Sequence, residues 1–143
     1  MNGRKTTILV IDAQGGGLGR QLISTIKKET DGLYILAVGT NSAATAAMLK
    51  AGADEAATGE NSVIVASRKA DIIIGPVGMV IADAMLGEIT PAMARAIAEA
   101  GAKRIMIPFN SCDNYIAGTS GLGTGRLIQD ALNELKNSLT NPL

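Results

Sequence analysis

Apolar residues run along this chain in two alternating rhythms. Unbroken runs such as Ile8-Leu9-Val10-Ile11, Leu33 to Val38 and Ile72-Ile73-Ile74 are separated by stretches in which apolar positions return every three or four residues. The unbroken runs suit strands buried on both faces, and the spaced stretches suit amphipathic helices. The pattern predicts strands over 6–12, 33–38, 71–74 and 104–108, with a weaker one at 54–57. Between them it predicts helices over 17–30, 42–51, 61–70, 91–100 and 124–138.

Local signals set the ends. In the first helix Leu18, Leu22 and Ile26 recur at i, i+4 and i+8, Ile23 widens the stripe, and Lys27 and Lys28 sit at the negative end before Gly32. Asn41 or Ser42 can cap the second helix. Thr90-Pro91 places a capping hydroxyl before a proline at the first helical position. Over 61–70, Val63-Ile64-Val65 would suit a strand. Ser67-Arg68-Lys69, placed directly before a stronger strand, favours a crossover helix, and a helix is predicted. Residues 77–89, bracketed by Gly78 and Gly87, suit a short helix or a loop lining a cleft. The turn at 110–113 is too short for a helical crossover, so 114–117 is expected as an antiparallel or edge strand. Leu127, Ile128, Ala131, Leu132 and Leu135 form the buried stripe of the last helix.

Strands alternating with helices imply a parallel sheet covered on both faces. The expectation is one three-layer α/β domain over 1–143, doubly wound, with about five parallel strands plus a short edge strand. In the order 3-2-1-4-5, a ligand crevice opens where strands one and four are neighbours.

Composition narrows the function. At 143 residues and 47% hydrophobic content the chain can build a real core. Thirteen basic and thirteen acidic residues cancel, and aromatics are 2%, so neither nucleic acid nor an anionic membrane is an expected partner. The absence of histidine excludes His general bases, Ser-His and Cys-His dyads and most zinc sites. One cysteine, Cys112, means no internal disulfide and fits a reducing compartment. The polar start and the short run ending at Asp12 match neither a signal peptide nor a membrane span, so a cytoplasmic location is expected.

The chemistry concentrates at Asp12-Ala13-Gln14-Gly15-Gly16-Gly17-Leu18-Gly19-Arg20, a strand end, a glycine turn and a helix start. Such a turn aims backbone N–H groups at an anion from the positive end of a helix dipole. The pattern G-x-G-x-x-G fails at Arg20, and G-x-x-x-G-x-G finds Ala13, Gly17 and Gly19. A deviant P-loop, G-G-x-G-K-T, meets Arg20 and Gln21 where lysine and a hydroxyl belong. No acid lies between Gly32 and Ala53, where an NAD-binding fold puts one on the ribose. Thr40 or Asn41 can hydrogen-bond a ribose and Arg20 can meet a 2′-phosphate. NADP, NAD, a mononucleotide or another phosphorylated ligand all stay open. Gly75-Pro76 ends strand four and would face the glycine loop. Asn110, Cys112 and Asp113 follow strand five, and Asp12, Asp83 and Glu88 are acid–base candidates. A second glycine cluster, 118–125, precedes the last helix; with Ser120, Thr124 and Arg126 it could form another anion site, but a flexible connection is favoured. Tyr34 and Tyr115 lack the lysine of a Tyr-x-x-x-Lys pair, so short-chain-dehydrogenase hydride chemistry has no support.

The segments 11–19 (IDAQGGGLG), 39–41 (GTN), 58–61 (TGEN), 71–76 (DIIIGP) and 85–91 (MLGEITP) together resemble a small bacterial Rossmann-like family known only as a domain of unknown function. Its pattern carries glycine where this chain has Ala13. The resemblance implies a free-standing Rossmann-like protein and brings no activity with it. The expected function is binding of a nucleotide or phosphorylated small molecule above strands one, two and four. In that reading Gln14, Gly15, Gly16, Gly17, Leu18 and Gly19 hold phosphate, Thr40 and Asn41 meet sugar or base, and Gly75 and Pro76 form the opposing wall. A small oxidoreductase or transferase, and a structural partner subunit whose glycines only pack, are the competing classes. Helix 91–100, rich in alanine and methionine, suggests a homo-oligomeric interface, most simply a dimer.

Overall fold

A computed structural model describes residues 3–109 and 114–141. Asn110, Cys112 and Asp113 lie outside the described residues. In chain order the elements are β1 (Thr7–Asp12), α1 (Gly17–Glu29), β2 (Tyr34–Gly39), α2 (Ser42–Lys50), β3 (Glu55–Thr58), α3 (Glu60–Lys69), β4 (Ile72–Pro76), a 3₁₀ turn (Val77–Val80), α4 (Pro91–Glu99), β5 (Lys103–Ile107) and α5 (Thr124–Thr140).

The five strands form one sheet in the order β3-β2-β1-β4-β5, and every pairing is parallel. β1 sits at the centre, with Ile8 opposite Ile35 on one side and Ile72 on the other. Its alternate residues feed two cores. Ile8 and Val10 pack with Leu22 and Ile26 of α1, Met48 of α2, and Leu132 and Leu135 of α5. Leu9 and Ile11 pack with Val63 of α3 and with Met93 and Ile97 of α4. The unbroken apolar run of β1 follows from this burial on both faces.

The helix boundaries follow side-chain chemistry. Asn41 Oδ1 accepts the Ala44 N–H at 2.9 Å and starts α2. Thr90 Oγ1 accepts the Met93 N–H at 3.1 Å, with Pro91 at the first helical position of α4. Residues 60–69 are helical, as the polar flank before β4 predicts. The apolar face of α4 is spent inside the chain, and its outer side carries the ion pair of Arg95 and Glu99. No helix among the described residues is long and apolar enough to cross a membrane.

Two expectations change. Residues 114–117 form no strand, and among the described residues no edge strand is added, so β5 is itself an edge. Tyr115 is 83% exposed there, and without an apolar face to bury the segment gains nothing by pairing. The last helix runs two residues further than expected, because Leu139 continues the stripe of Leu135 against the same core.

The start of β4 is tied to the chain's beginning. Arg4 donates to both oxygens of Asp71, at 2.8 and 2.9 Å, and the Thr7 N–H donates to Oδ2 at 2.8 Å. The Arg4 guanidinium holds the Asp71 carboxyl below its ordinary value, against a smaller upward push from partial burial. A carboxyl depressed in the folded state contributes stability above its unfolded pKa of about 3.9 and loses it as pH falls through the folded value. Asp71→Asn should therefore lower the urea midpoint at pH 7. The gap from wild type should close as the pH drops below about 4.

Candidate functional site

β1 ends on Asp12, whose side chain turns back beneath the loop that follows. Oδ1 accepts the Ala13 N–H at 2.8 Å and Oδ2 accepts the Gly19 N–H at 2.6 Å. Gly19 lies in the first turn of α1, so the carboxylate satisfies one of that turn's orphan donors at the positive end of the dipole. Asp12 is only 6% exposed. Burial pushes its carboxyl up, the bonds from Gly19 and Ala13 pull it down without cancelling the rise, and nearby Glu88 adds to it.

The glycines around this corner fall into two kinds. Gly16 has φ 75°, and a Cβ there would lie 2.8 Å from the Ala44 Cα of α2. A Cβ on Gly19 would meet Met48 Sδ at 2.5 Å, one on Gly39 the Thr45 nitrogen at 2.5 Å, and one on Gly75 the Ile11 carbonyl at 2.6 Å. These positions need glycine so that layers and strand ends can approach. Gly15 and Gly17 do not. Neither has a left-handed φ, and a Cβ on either would find nothing within 4 Å. Their amides have no hydrogen-bond partner among the described residues.

Gly15 and Gly17 open onto a cleft of about 330 Å³. Its other walls come from Gln21 on α1, Pro76 at the end of β4, Met85, Phe109 just past β5, and Thr124 at the start of α5. Two helix N-termini therefore border one cleft. Neither α1 nor α5 has an acid in its first turn, and α5, with Gly123 at its N-cap position, has no side-chain cap.

Of the residues singled out from the sequence, Gln14, Gly15, Gly16, Gly17, Leu18 and Pro76 line this cleft. Gly19 and Gly75 are not among its lining residues and are close-approach positions instead. Thr40 and Asn41 are not among its lining residues, and Arg20 is exposed on α1 outside it. The cleft stands over β1, β4 and the end of β5, one strand over from where the sequence placed it. Met85 belongs to the 77–89 stretch expected as a short helix or a cleft-lining loop, and Thr124 to the second glycine cluster; Phe109 was not anticipated. The available signal was position: Phe109 follows a strand's carboxyl end.

Glu88 accounts for Thr40 and Asn41. Its Oε1 accepts the Gln14 N–H at 2.8 Å, the Thr40 hydroxyl at 2.7 Å and the Asn41 Nδ2 at 3.0 Å. Asn41 Nδ2 also donates to the Gln14 carbonyl at 2.9 Å. Partial burial pushes the Glu88 carboxyl up, but the bonds from Thr40, Gln14 and Asn41 together hold it below its ordinary value.

The two kinds of glycine should separate in stability. Gly16→Ala should cost about 2 kcal/mol or more, since both backbone conformation and contact with α2 oppose it. Gly17→Ala should leave stability unchanged or slightly raised, since alanine suits a helix better. Urea denaturation of the two variants checks this.

No curated protein gives a significant match to the chain. Among solved structures, a dodecameric FMN-dependent Ubix-like decarboxylase from Escherichia coli O157:H7 is similar over 92% of this chain and 76% of its own, at 14% identity and a TM-score of 0.44. The family model described as "Domain of unknown function (DUF3842)" matches residues 7–140. The chain is a member of that family.

Proposed function

We propose that the protein binds a nucleotide or another phosphorylated small molecule in the cleft above β1, β4 and β5. The phosphate sits on the amides of Gly15 and Gly17 at the start of α1. The observation that carries this reading is the pair of glycines without an internal reason to be glycine. The fold tolerates a side chain at both positions, yet both face the cleft with their N–H groups unpaired. Backbone that close to open space lets a phosphate reach the amides. The uncapped start of α5 across the cleft adds a second set of donors of the same polarity.

Binding is favoured over proton-transfer chemistry. Asp12 is the one titratable side chain among the described lining residues, and both its oxygens already accept backbone N–H groups. An acid so engaged holds the loop in place and is poorly set to take a substrate proton.

Thermal-shift measurements with inorganic phosphate, AMP, ATP, coenzyme A, NAD and NADP test the reading. A true ligand at a hundredfold excess over Kd should stabilise the fold by about 2.7 kcal/mol. Gly15→Ala and Gly17→Ala should fold normally and lose that stabilisation, since a side chain keeps a phosphate from the close backbone approach that glycine allows. Absence of any shift across the panel, inorganic phosphate included, would overturn the reading.

A further inference from the structure

Sheets of this winding that hold a dinucleotide use two places at once. The pyrophosphate rests on the first glycine loop, and the adenosine ribose lies against the residues that end the second strand. Here the first place is open, and the second is taken. Thr40 and Asn41 directly follow β2, and both direct their donors to Glu88 Oε1. The Gln14 N–H, on the flank of the glycine loop, joins them on the same oxygen.

Glu88 is brought there by an unusual backbone. Asp83, Met85 and Leu86 have φ of 66°, 57° and 58°, and Gly87 has 87°. Non-glycine residues hold such angles only where their surroundings enforce them. The enforcement is visible on both sides. Asp83 N–H donates to the Ile89 carbonyl at 2.7 Å, Gly87 N–H donates to the Asp83 carbonyl at 3.1 Å, and Ile89 is buried in the core. Met85, three residues before Glu88, is itself a wall of the open cleft. One segment thus shapes the cleft beside β4 and fills the ribose position beside β2.

We infer that Glu88 restricts the phosphate site to ligands with a single nucleotide or smaller phosphomonoester body and keeps dinucleotides out, by occupying the ribose position between the glycine loop and β2. This rests on the phosphate reading above. The body of the ligand then runs the other way, over Pro76, Met85 and Phe109. That surface is apolar and suits a flat ring, and a cleft of about 330 Å³ is on the scale of one nucleotide.

Calorimetric titration of the full chain tests this with inorganic phosphate, AMP, nicotinamide mononucleotide, flavin mononucleotide and NAD. In the wild-type protein, NAD should bind at least about tenfold more weakly than the tightest mononucleotide. Glu88→Ser, which empties the ribose position, should raise NAD affinity about tenfold or more and change mononucleotide affinity less than about twofold. Glu88→Gln keeps the bulk and an acceptor oxygen, and should still exclude NAD. Melting curves check that both variants fold, and the wild-type comparison stands without either of them. NAD binding to wild type as tightly as the mononucleotides, or an unchanged NAD-to-mononucleotide ratio in Glu88→Ser, would overturn the exclusion while the phosphate site stands. If no probe, inorganic phosphate included, binds either protein, the phosphate reading fails and the exclusion goes with it.

Discussion

A buried carboxylate closing the joint between a strand and a helix governs this structure. Asp12 sits where β1 ends, and its two oxygens reach one residue forward and seven residues forward. That bridge fixes the turn of the intervening loop. The cost of removing a charge from water is offset by backbone N–H groups and by the positive end of α1. The Ala13 and Gly19 amides are taken by Asp12, while those of Gly15 and Gly17, which line the cleft, have no protein partner among the described residues.

The glycines record the same division. At 16, 19, 39 and 75 a methyl group would collide with a neighbouring helix, side chain or strand within 3 Å. At 15 and 17 it would meet nothing within 4 Å. A glycine cluster in a sequence is one undifferentiated signal. In three dimensions it separates into positions where the fold forbids a side chain and positions where the fold is indifferent to one.

The sheet was legible because its signals are local. Strand four reads from Ile72-Ile73-Ile74 and Gly75-Pro76, the fourth helix from Thr90-Pro91, and the strand order from the alternation of the two rhythms. The site was half legible. Gly15 to Gly17 lie within one short segment, and their chemistry depends on backbone geometry that the glycines themselves announce. Thr40, Asn41 and Glu88 could not be joined in advance, because Glu88 is 48 and 47 positions away and arrives through left-handed residues with no composition signal. The missing acid after β2 looked like a departure from the dinucleotide pattern. The carboxylate that reaches this place, Glu88, comes from a different part of the chain and is spent on three protein donors instead of standing open to a ribose. The segment at 114–117 failed for the converse reason: its local pattern allowed a strand, but no neighbour needed one.

The position of β1 between β2 and β4 has a kinetic meaning. Its pairing with β2 closes a short span of chain, whereas its pairing with β4 must wait for two further helices and a strand to be laid down. Parallel pairings of this kind lose more chain entropy before they are rewarded, and so form late. The corner above β1 and β4 is therefore whole only after the two halves of the sheet have joined. A partly folded chain holding only β1 to β3 would carry the glycine loop without Pro76, Met85 or Phe109 opposite it. Nascent chains would then lack a finished pocket until most of the sequence had been synthesised.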